Sequence, residues 1–227
     1  MNSQSRGRVL IINPNSNEAV TAAMGVAISC LSCTTGVEME TRSLAGAPFG
    51  IESEADAARV APMLAELVGE EEAGYDAFVI GCFLDPGLAA CRHMTKKPVF
   101  GIGECSIYAA LSLADQFGVL ALSRASVGRH KPIFRRLGVW DRLAGELPLS
   151  ISVAEAVSEE SVYPRLLDAA LCLRDTHGAG AVVLGCAGMA RHRQRLQDDT
   201  GISIIDPVQA GAMRALGAVL TNQAASA

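Results

Sequence analysis

A short sequence recurs at long range in this chain, and the recurrence limits the folds available to it. An apolar run ending in Gly-Cys at residues 79–82 (VIGC) returns at residues 183–186 (VLGC). Two further apolar runs, 9–12 and 98–100, have counterparts in the same order at 119–122 and 203–205. Because three runs correspond in order at spacings of 104 to 110 residues, the sequence predicts two similar halves that divide near residue 114.

Short apolar runs alternate with longer helical patterns in both halves, as in parallel βαβ units. We therefore predict an α/β fold of two pseudo-symmetric halves, 1–113 and 114–227, each with a four-stranded parallel sheet flanked by helices. The last helix, from about residue 208, is expected to pack back on the first half. The predicted strands are residues 9–12, 37–41, 77–80, 98–102, 118–122, 149–153, 181–184 and 202–205.

Composition narrows the class of protein and of partner. Of the 227 residues 50% are hydrophobic, which is enough for a core and excludes a disordered chain. A net charge of -5 gives no electrostatic footprint for nucleic acid or anionic lipid, so we expect neither partner. No apolar run approaches a membrane span and no signal-peptide pattern opens the chain, so we expect a cytoplasmic protein.

Seven cysteines are scattered along the chain, and an odd count without a secretion signal favours reduced thiols over a disulfide framework. Cys30 and Cys33 form a C-x-x-C, but no second pair follows at zinc-site spacing. We predict no metal site and assign this pair to packing or to partly exposed thiols. Cys91, Cys105 and Cys172 lie in helical patterns and are interpreted as core-filling side chains.

Cys82 and Cys186 differ from the other five because each follows an apolar strand and a glycine. A thiol near a helix N-terminus is stabilised as a thiolate by backbone N–H groups and the helix dipole. A buried cysteine is more often a small hydrophobic side chain. Two cysteines at equivalent repeat positions instead favour function, because ligands bind beyond the carboxyl ends of parallel strands and the two halves would enclose one cleft there.

Two facing thiols suit inversion at a carbon acid beside a carbonyl. One thiolate would remove the proton, and the opposite thiol would return one to the other face, without metal or organic cofactor. The enolate intermediate needs hydrogen-bond donors for its oxygen. We expect the backbone N–H groups of Phe83, Ala187 and Gly188 to supply them.

Four motifs together carry a family resemblance: residues 12–16 (INPNS), 81–88 (GCFLDPGL), 101–104 (GIGE) and 184–189 (LGCAGM). They resemble the Asp/Glu/hydantoin racemase superfamily, and within it the hydantoin and allantoin racemase branch, over essentially the whole chain. The resemblance implies a two-domain pseudo-symmetric fold, cofactor-independent racemisation and a homo-oligomer. Matched by position, Cys82 and Cys186 are the acid/base pair, and Asn13 lines the site.

Residues beside the cysteines favour one branch of the family. Its amino-acid racemases usually follow the cysteine with Asn or Thr, which help hold an α-carboxylate, whereas Phe83 and Ala187 stand here. This difference favours a neutral cyclic amide as substrate. The hydantoin racemases tend to carry Thr-Thr after the fifth strand, where this chain has Ala121 and Leu122.

Three further sequence features contain residue types that are common in functional sites. Residues 48–53 lie between a strand and a helix, and we expect Phe49 and Ile51 to be apolar contacts of a lid or pocket wall, with an ordinary surface loop as the alternative. Residues 101–106 (GIGECS) match dinucleotide-binding glycines only in part, so a tight turn at the cleft rim is the better interpretation, with Glu104 as a helix-start or site carboxylate. The four histidines, at 93, 130, 177 and 192, are interpreted as solvated helix residues.

The sequence thus predicts a cofactor-independent racemase of 5-substituted hydantoins or related cyclic ureides, such as allantoin. One alternative is another carbanion enzyme of the superfamily: an aspartate or glutamate racemase, a maleate isomerase or an arylmalonate decarboxylase. Decarboxylation needs a single protonating cysteine, so the pair argues mildly against that reaction. The other alternative is a small-molecule binding protein that uses the same cleft without catalysis.

Overall fold

The computed structural model describes residues 7–158 and 160–224, and they form two four-stranded parallel sheets. The strand orders are β2-β1-β3-β4 and β6-β5-β7-β8. The first half contains β1 (Arg8–Asn13), α1 (Glu18–Thr35), β2 (Glu38–Ser43), α2 (Glu54–Glu70), β3 (Ala77–Ile80), α3 (Leu88–Met94), β4 (Val99–Gly101) and α4 (Ile102–Leu111).

The second half repeats this order, with two 3₁₀ helices (Trp140–Arg142 and Glu160–Val162) beside α5 and α7 and a third (Ala187–His192) after β7. Its main elements are β5 (Phe117–Ala121), α5 (Arg124–Arg136), β6 (Leu143–Pro148), α6 (Val153–Ser158), α7 (Tyr163–Asp175), β7 (Ala181–Leu184), α8 (Arg193–Thr200), β8 (Ser203–Ile205) and α9 (Pro207–Ala224). The predicted α/β class and the two matching sheets are confirmed.

Register in the sheets corrects one of the sequence matches. Ile11 pairs with Val79 in the first sheet, and Val119 pairs with Val183 in the second. Since β3 and β7 correspond through their Gly-Cys ends, Ile11 is the counterpart of Val119. The sequence match had aligned Val9 with Val119, two residues away. Both runs are uniformly apolar and buried, so hydrophobicity alone could not fix their alignment.

The sixth strand lies outside its predicted position. The apolar run 149–153 predicted a strand, but β6 is Leu143–Pro148 at the edge of the second sheet. All six residues of β6 are only half-buried, so this edge strand lacks the continuous apolar signal of a central one. Leu149 and Ile151 are buried in the hydrophobic core instead, in the segment that leads to α6.

Helix α1 is, in the described part of the chain, the one helix long and apolar enough to cross a membrane by length and composition. A helix that covers a protein core passes the same test, and α1 packs against β2 and α9. It buries Val20, Thr21, Met24 and Ile28 and keeps the rest of its surface half-buried or exposed. Helix α1 has no uninterrupted apolar run of spanning length, and its alanines, glycine and cysteines raise its mean hydropathy.

The C-terminal helix α9 crosses from the second half to the first. It packs against α4, β3, α1, β1 and β4 of the first half. Val208, Ala212, Leu216 and Val219 are buried there in one cluster with Val9 and other side chains of the first sheet. A side chain at Gly211 would come within 2.9 Å of Ile102 and Val79, so this glycine lets α9 approach the sheet closely.

Candidate active site

Equivalent strand ends place Cys82 and Cys186. The N–H of Gly81 donates to the Ile12 carbonyl at 2.8 Å, and the N–H of Gly185 donates to the Leu120 carbonyl at 2.9 Å. A Cβ at either glycine would lie within 3.0 Å of that same carbonyl oxygen, so only glycine fits. Each turn therefore carries its cysteine to the carboxyl edge of its own sheet.

Both cysteines line one cavity between the two halves. The first half contributes lining residues from the loop after β1, from α1, from the segment 48–53 and from the Cys82 turn. The second half contributes them from the residue after β5, from α5 and α6, and from the Cys186 turn. The lining residues are Asn15, Val20, Ile51, Gly81, Cys82, Phe83, Leu84, Leu122, Ser126, Arg129, His130, Val153, Gly185, Cys186 and Ala187. The cysteines, Ile51, Phe83 and Ala187 thus lie where the sequence interpretation put them.

The two cysteines differ in their relation to the following helix. Cys186 is the N-cap of the 3₁₀ helix Ala187–His192, and its Sγ accepts the N–H of Gly188 at 3.4 Å. Cys82 instead opens a turn in which Asp85 has a φ of 48° and Gly87 a φ of 67°, and α3 begins only at Leu88. The expected helix N-terminus is therefore present at Cys186 and absent at Cys82.

Burial is the largest influence on the acidity of both thiols. It raises the pKa of Cys82 to about 12, although the Leu84 N–H acts in the opposite direction. It raises the pKa of Cys186 to about 11, against the N–H of Gly188. The expected stabilisation of the thiolates by backbone donors is thus outweighed by desolvation, and both cysteines are neutral thiols near pH 7.

Asn15 lines the cavity in place of Asn13, which the family resemblance assigned to the site. Asn13 is fully buried, and its Nδ2 donates to Asn15 Oδ1 (2.9 Å), Thr21 Oγ1 (3.0 Å) and the Asn17 carbonyl (3.2 Å). It does not line the cavity, whereas Asn15 does. Asn15 Oδ1 also accepts the N–H of Asn17, the N-cap of α1. Asn13 therefore shapes the turn that presents Asn15.

The segment 48–53 covers the cavity only in part. Ile51 is buried and lines the cavity, whereas Phe49 is 63% exposed and does not. The backbone carbonyl of Glu52 accepts a hydrogen bond of 2.6 Å from Arg129 Nη1 of α5. This bond joins the segment to the second half across the mouth of the cleft. Phe49 is thus a surface residue here, because its ring points away from the lining.

Helix α5 contributes a polar wall to the cavity, formed by Ser126, Arg129 and His130. The sequence interpretation of His130 as a solvated residue is wrong, because the side chain is 3% exposed. Its Nδ1 bonds the Glu146 carboxylate, which is equally buried, and its ring lies 4.6 Å from that of Phe83. Because the α5 sequence is rich in arginine and lysine, it resembles a fully exposed helix, and the sequence gives no sign of the face that lines the cavity.

Comparisons with known proteins identify the family of this chain. Residues 9–215 match the family model described as Asp/Glu/Hydantoin racemase. The chain belongs to the Asp/Glu/hydantoin racemase family. It is 35% identical to the hydantoin racemase of Paenarthrobacter aurescens, over 89% of this chain and 87% of that protein. It is 34% identical to the hydantoin racemase of Rhizobium meliloti, over 88% and 83% of the two chains.

A solved structure extends the likeness to three dimensions. The allantoin racemase from Klebsiella pneumoniae has a TM-score of 0.89 and 27% identity to this racemase-family chain. The match covers 95% of this chain and 89% of the other. The two-sheet architecture is therefore that of the family.

The family motif 101–104 packs against the turn that carries Cys82, on the side away from the cavity lining. A Cβ at Gly103 would lie 2.1 Å from the Phe83 carbonyl oxygen, and one at Gly101 would lie 2.2 Å from Asp85 Cγ. The Asp85 carboxylate accepts the N–H groups of Gly103 and Glu104, each at 2.8 Å, at the start of α4. Glu104 is paired with Arg92 and does not line the cavity, so it is a helix-start carboxylate.

The remaining candidates lie away from the cavity lining. Gly188 is buried, and its N–H is already bonded to Cys186 Sγ. Cys30 and Cys33 are exposed on α1, Cys91 and Cys105 are buried, and Cys172 is half-buried. His192 is buried, against expectation, whereas His93 and His177 are exposed. Among residues 7–158 and 160–224, no group of three or more His, Cys, Asp or Glu could hold a metal ion.

Proposed function

We propose that this protein racemises 5-substituted hydantoins or related cyclic ureides, allantoin among them, by a two-cysteine mechanism without cofactor. The observation that carries the proposal is the pair of equivalent Gly-Cys turns, which bring Cys82 and Cys186 to one cavity from opposite halves. The hydantoin racemases at 31 to 35% identity support this substrate class.

The reaction removes one proton from C5 of the substrate and adds another to the opposite face of the same carbon. One cysteine, as thiolate, takes the C5 proton and becomes a thiol, and the C5 electron pair delocalises onto the adjacent carbonyl as an enolate. The opposite thiol then protonates C5 from the other face and becomes the thiolate. The opposite enantiomer uses the same two groups in exchanged roles, so charge and protons balance in both directions.

The raised pKa of each thiol suits this exchange. A thiolate whose conjugate acid has a pKa of about 11 or about 12 is a stronger base than an ordinary cysteine thiolate. The proton on C5 of a neutral amide ring is weakly acidic, so base strength lowers the barrier to its removal. The cost is that little thiolate is present at neutral pH. The protonated partner, by contrast, is always available as the acid.

The lining supports a neutral ring over a free amino acid. Phe83 and Ala187 follow the two cysteines, where the family's amino-acid racemases usually carry Asn or Thr. The backbone N–H groups of Phe83, Ala187 and Gly188 are proposed as donors to the enolate oxygen, and that of Gly188 would have to turn from Cys186 Sγ. Leu122, Val153 and Ile51 give the cavity apolar sides that favour an apolar C5 substituent.

We propose further that the protein is cytoplasmic, that it assembles as a homo-oligomer, and that its partner is a small-molecule substrate without nucleic acid or membrane. The reduced state of seven free cysteines suits a reducing compartment. Light scattering of the purified protein measures the subunit number directly, and a monomer at micromolar concentration would contradict the oligomer.

A substrate panel tests the reaction. Enantiopure 5-substituted hydantoins, allantoin, aspartate, glutamate and an arylmalonate are incubated with the protein in deuterium oxide, and optical rotation and deuterium at the reacting carbon are followed. We expect loss of rotation with deuterium uptake for a hydantoin or allantoin. Turnover of aspartate, glutamate or the malonate alone would assign another reaction of the family, and no turnover would favour a binding protein.

Single substitutions test the cysteine pair. We expect Cys82→Ser and Cys186→Ser each to abolish racemisation, because the serine hydroxyl cannot replace the thiol as base or acid. Each variant still holds one thiol, so each is expected to exchange the C5 proton of only one enantiomer. Cys172→Ser, outside the cavity, is the matched control and should keep wild-type rates. A double Ser variant that racemised at the wild-type rate would refute the mechanism.

A further inference from the structure

The two cysteines occupy equivalent positions of the two halves, but the helices that line the cavity beside them, α1 and α5, carry different side chains. Helices α1 and α5 begin at the N-caps Asn17 and Ser123, and the third residue after each cap, Val20 and Ser126, lines the cavity. In the same alignment, Arg129 of α5 corresponds to Ala23 of α1. The polar wall of Ser126, Arg129 and His130 thus lies in the second half, and Val20 of the first half corresponds to Ser126.

Arg129 is held firmly at two of its three nitrogens. Nη1 donates to the Glu52 carbonyl at 2.6 Å, and Nη2 donates to Ser126 Oγ at 3.2 Å. Its Nε is buried and has no hydrogen-bond partner among the described residues. Leaving a buried N–H without an acceptor is energetically unfavourable, so such a group on a residue that lines a cavity favours a ligand that supplies the acceptor.

The charges of the lining residues also favour Arg129 as the group that contacts the substrate. Of the described residues that line the cavity, Arg129 is the one arginine, and none is Asp, Glu or Lys. Arg129 is also close enough to act electrostatically on Cys82, whose pKa it lowers slightly against the dominant effect of burial. The negative charge of an enolate formed beside Cys82 would therefore develop near a fixed cation in a partly dry site.

We propose that Arg129 Nε donates a hydrogen bond to the carbonyl oxygen next to the reacting carbon, which is the C4 oxygen of a hydantoin. This inference rests on the proposed racemase function and adds a substrate-binding residue to it. The bond orients the ring with its polar edge toward α5. The C5 substituent is then directed toward the α1 side, where Val20 replaces the polar wall.

Variants of Arg129 test the assignment. Arg129→Met, which keeps most of the side-chain volume, should lower kcat/KM by about 100-fold in both directions, as loss of an oxyanion donor does. Arg129→Lys keeps the charge without the Nε–H and should retain an intermediate rate. Arg124→Met, at the exposed first residue of α5, is the control and should match wild type. Circular dichroism and melting temperature establish that each variant is folded.

Sulfur-substituted substrates separate this role from a structural one. A 4-thio hydantoin offers a poor acceptor at the proposed position, so Arg129→Met should slow its racemisation far less than that of the oxygen parent. The 2-thio isomer keeps the C4 oxygen and should show the full loss. Equal losses on all three substrates, or wild-type kinetics of Arg129→Met, would overturn the inference alone. A wild-type protein inactive toward every hydantoin and allantoin would overturn the proposed function, and the inference with it.

Discussion

At the scale of single residues, the two thiols combine high basicity with low ionisation. Desolvation raises the pKa of Cys82 to about 12 and that of Cys186 to about 11, and the backbone donors at Leu84 and Gly188 only moderate the effect. Cys186 adds a smaller increase to the pKa of Cys82. Catalysis needs exactly one of them as thiolate, and near pH 7 that form is a small minority.

The pH profile of catalysis follows from this acidity. A raised pKa means that the thiolate fraction rises with pH throughout the neutral range, so kcat/KM should increase by about tenfold per pH unit between pH 6 and 8. Initial rates of racemisation at saturating and at low substrate give this slope, within a range where the imide nitrogen of the substrate stays protonated. A profile that is flat over these two units would show that a thiolate already exists in the free protein.

At the residue scale, the sequence indicates candidate site residues where the repeat supplies geometry. Cys82 and Cys186 stood out because equivalent positions of two similar halves meet at one cleft. Arg129 and His130 gave no such signal, since α5 reads as a solvated, strongly basic helix. Counting from the N-caps of α1 and α5 identifies the inward face of each helix, but a sequence does not say which Asn or Ser is the cap.

At the scale of elements, the turn that carries Cys82 depends on the helix behind it. The start of α4 approaches this turn so closely that Gly103 leaves no room for a side chain beside the Phe83 carbonyl. Asp85 fastens the two elements together through the N–H groups of Gly103 and Glu104. Burial raises the pKa of this carboxyl to about 7, so the contact is made by a carboxyl that is partly protonated at neutral pH.

A methyl group tests this close contact. Gly103→Ala would place Cβ 2.1 Å from the Phe83 oxygen, so the Cys82 turn must shift, and we expect kcat/KM to fall by at least about tenfold with a loss of stability of about 1–3 kcal/mol. Gly128→Ala is the matched control, because this glycine in α5 has open space around its Cβ position. It should stabilise the protein by roughly 0.5–1 kcal/mol. Urea unfolding and racemisation rates measure both effects, and equal behaviour of the two variants would contradict the argument.

The position of the edge strand β6 differs from its prediction, whereas the central strands agree with theirs. The central strands were located from their continuous apolar runs, and β3 and β7 have the predicted bounds. The edge strand β6 was placed several residues late, because its half-buried sequence carries a weaker hydrophobic signal than the core-filling segment after it.

At the scale of the whole molecule, α9 ties the two halves together. It follows the last strand of the second half but buries its apolar face on α4, α1 and the sheet of the first half. The repeat predicted two units, and their similarity is plain in the strand orders. The repeat alone does not make them independent, because the closing helix of one completes the core of the other.

Unfolding should therefore be cooperative across both halves. Leu216→Ala, which removes a buried α9 side chain from the core of the first half, should destabilise the protein by about 3 kcal/mol. Trp140, the single tryptophan, lies in the second half and reports the same transition by fluorescence. We expect its midpoint in urea to shift together with the circular dichroism midpoint. Leu113→Ala, at a 64% exposed position, should shift neither. Separate transitions for the two probes would mean that the halves unfold independently.

The one-sided polar wall has a thermodynamic consequence for a racemase. Two mirror-image substrates that present the same polar edge to α5 cannot make identical contacts elsewhere, so their Michaelis constants should differ. Mirror-image molecules nevertheless have equal free energies in solution, and the equilibrium constant between them is unity. The ratio of turnover number to Michaelis constant must then be the same in both directions. The enantiomer with the lower Michaelis constant must therefore have the lower turnover number, by the same factor.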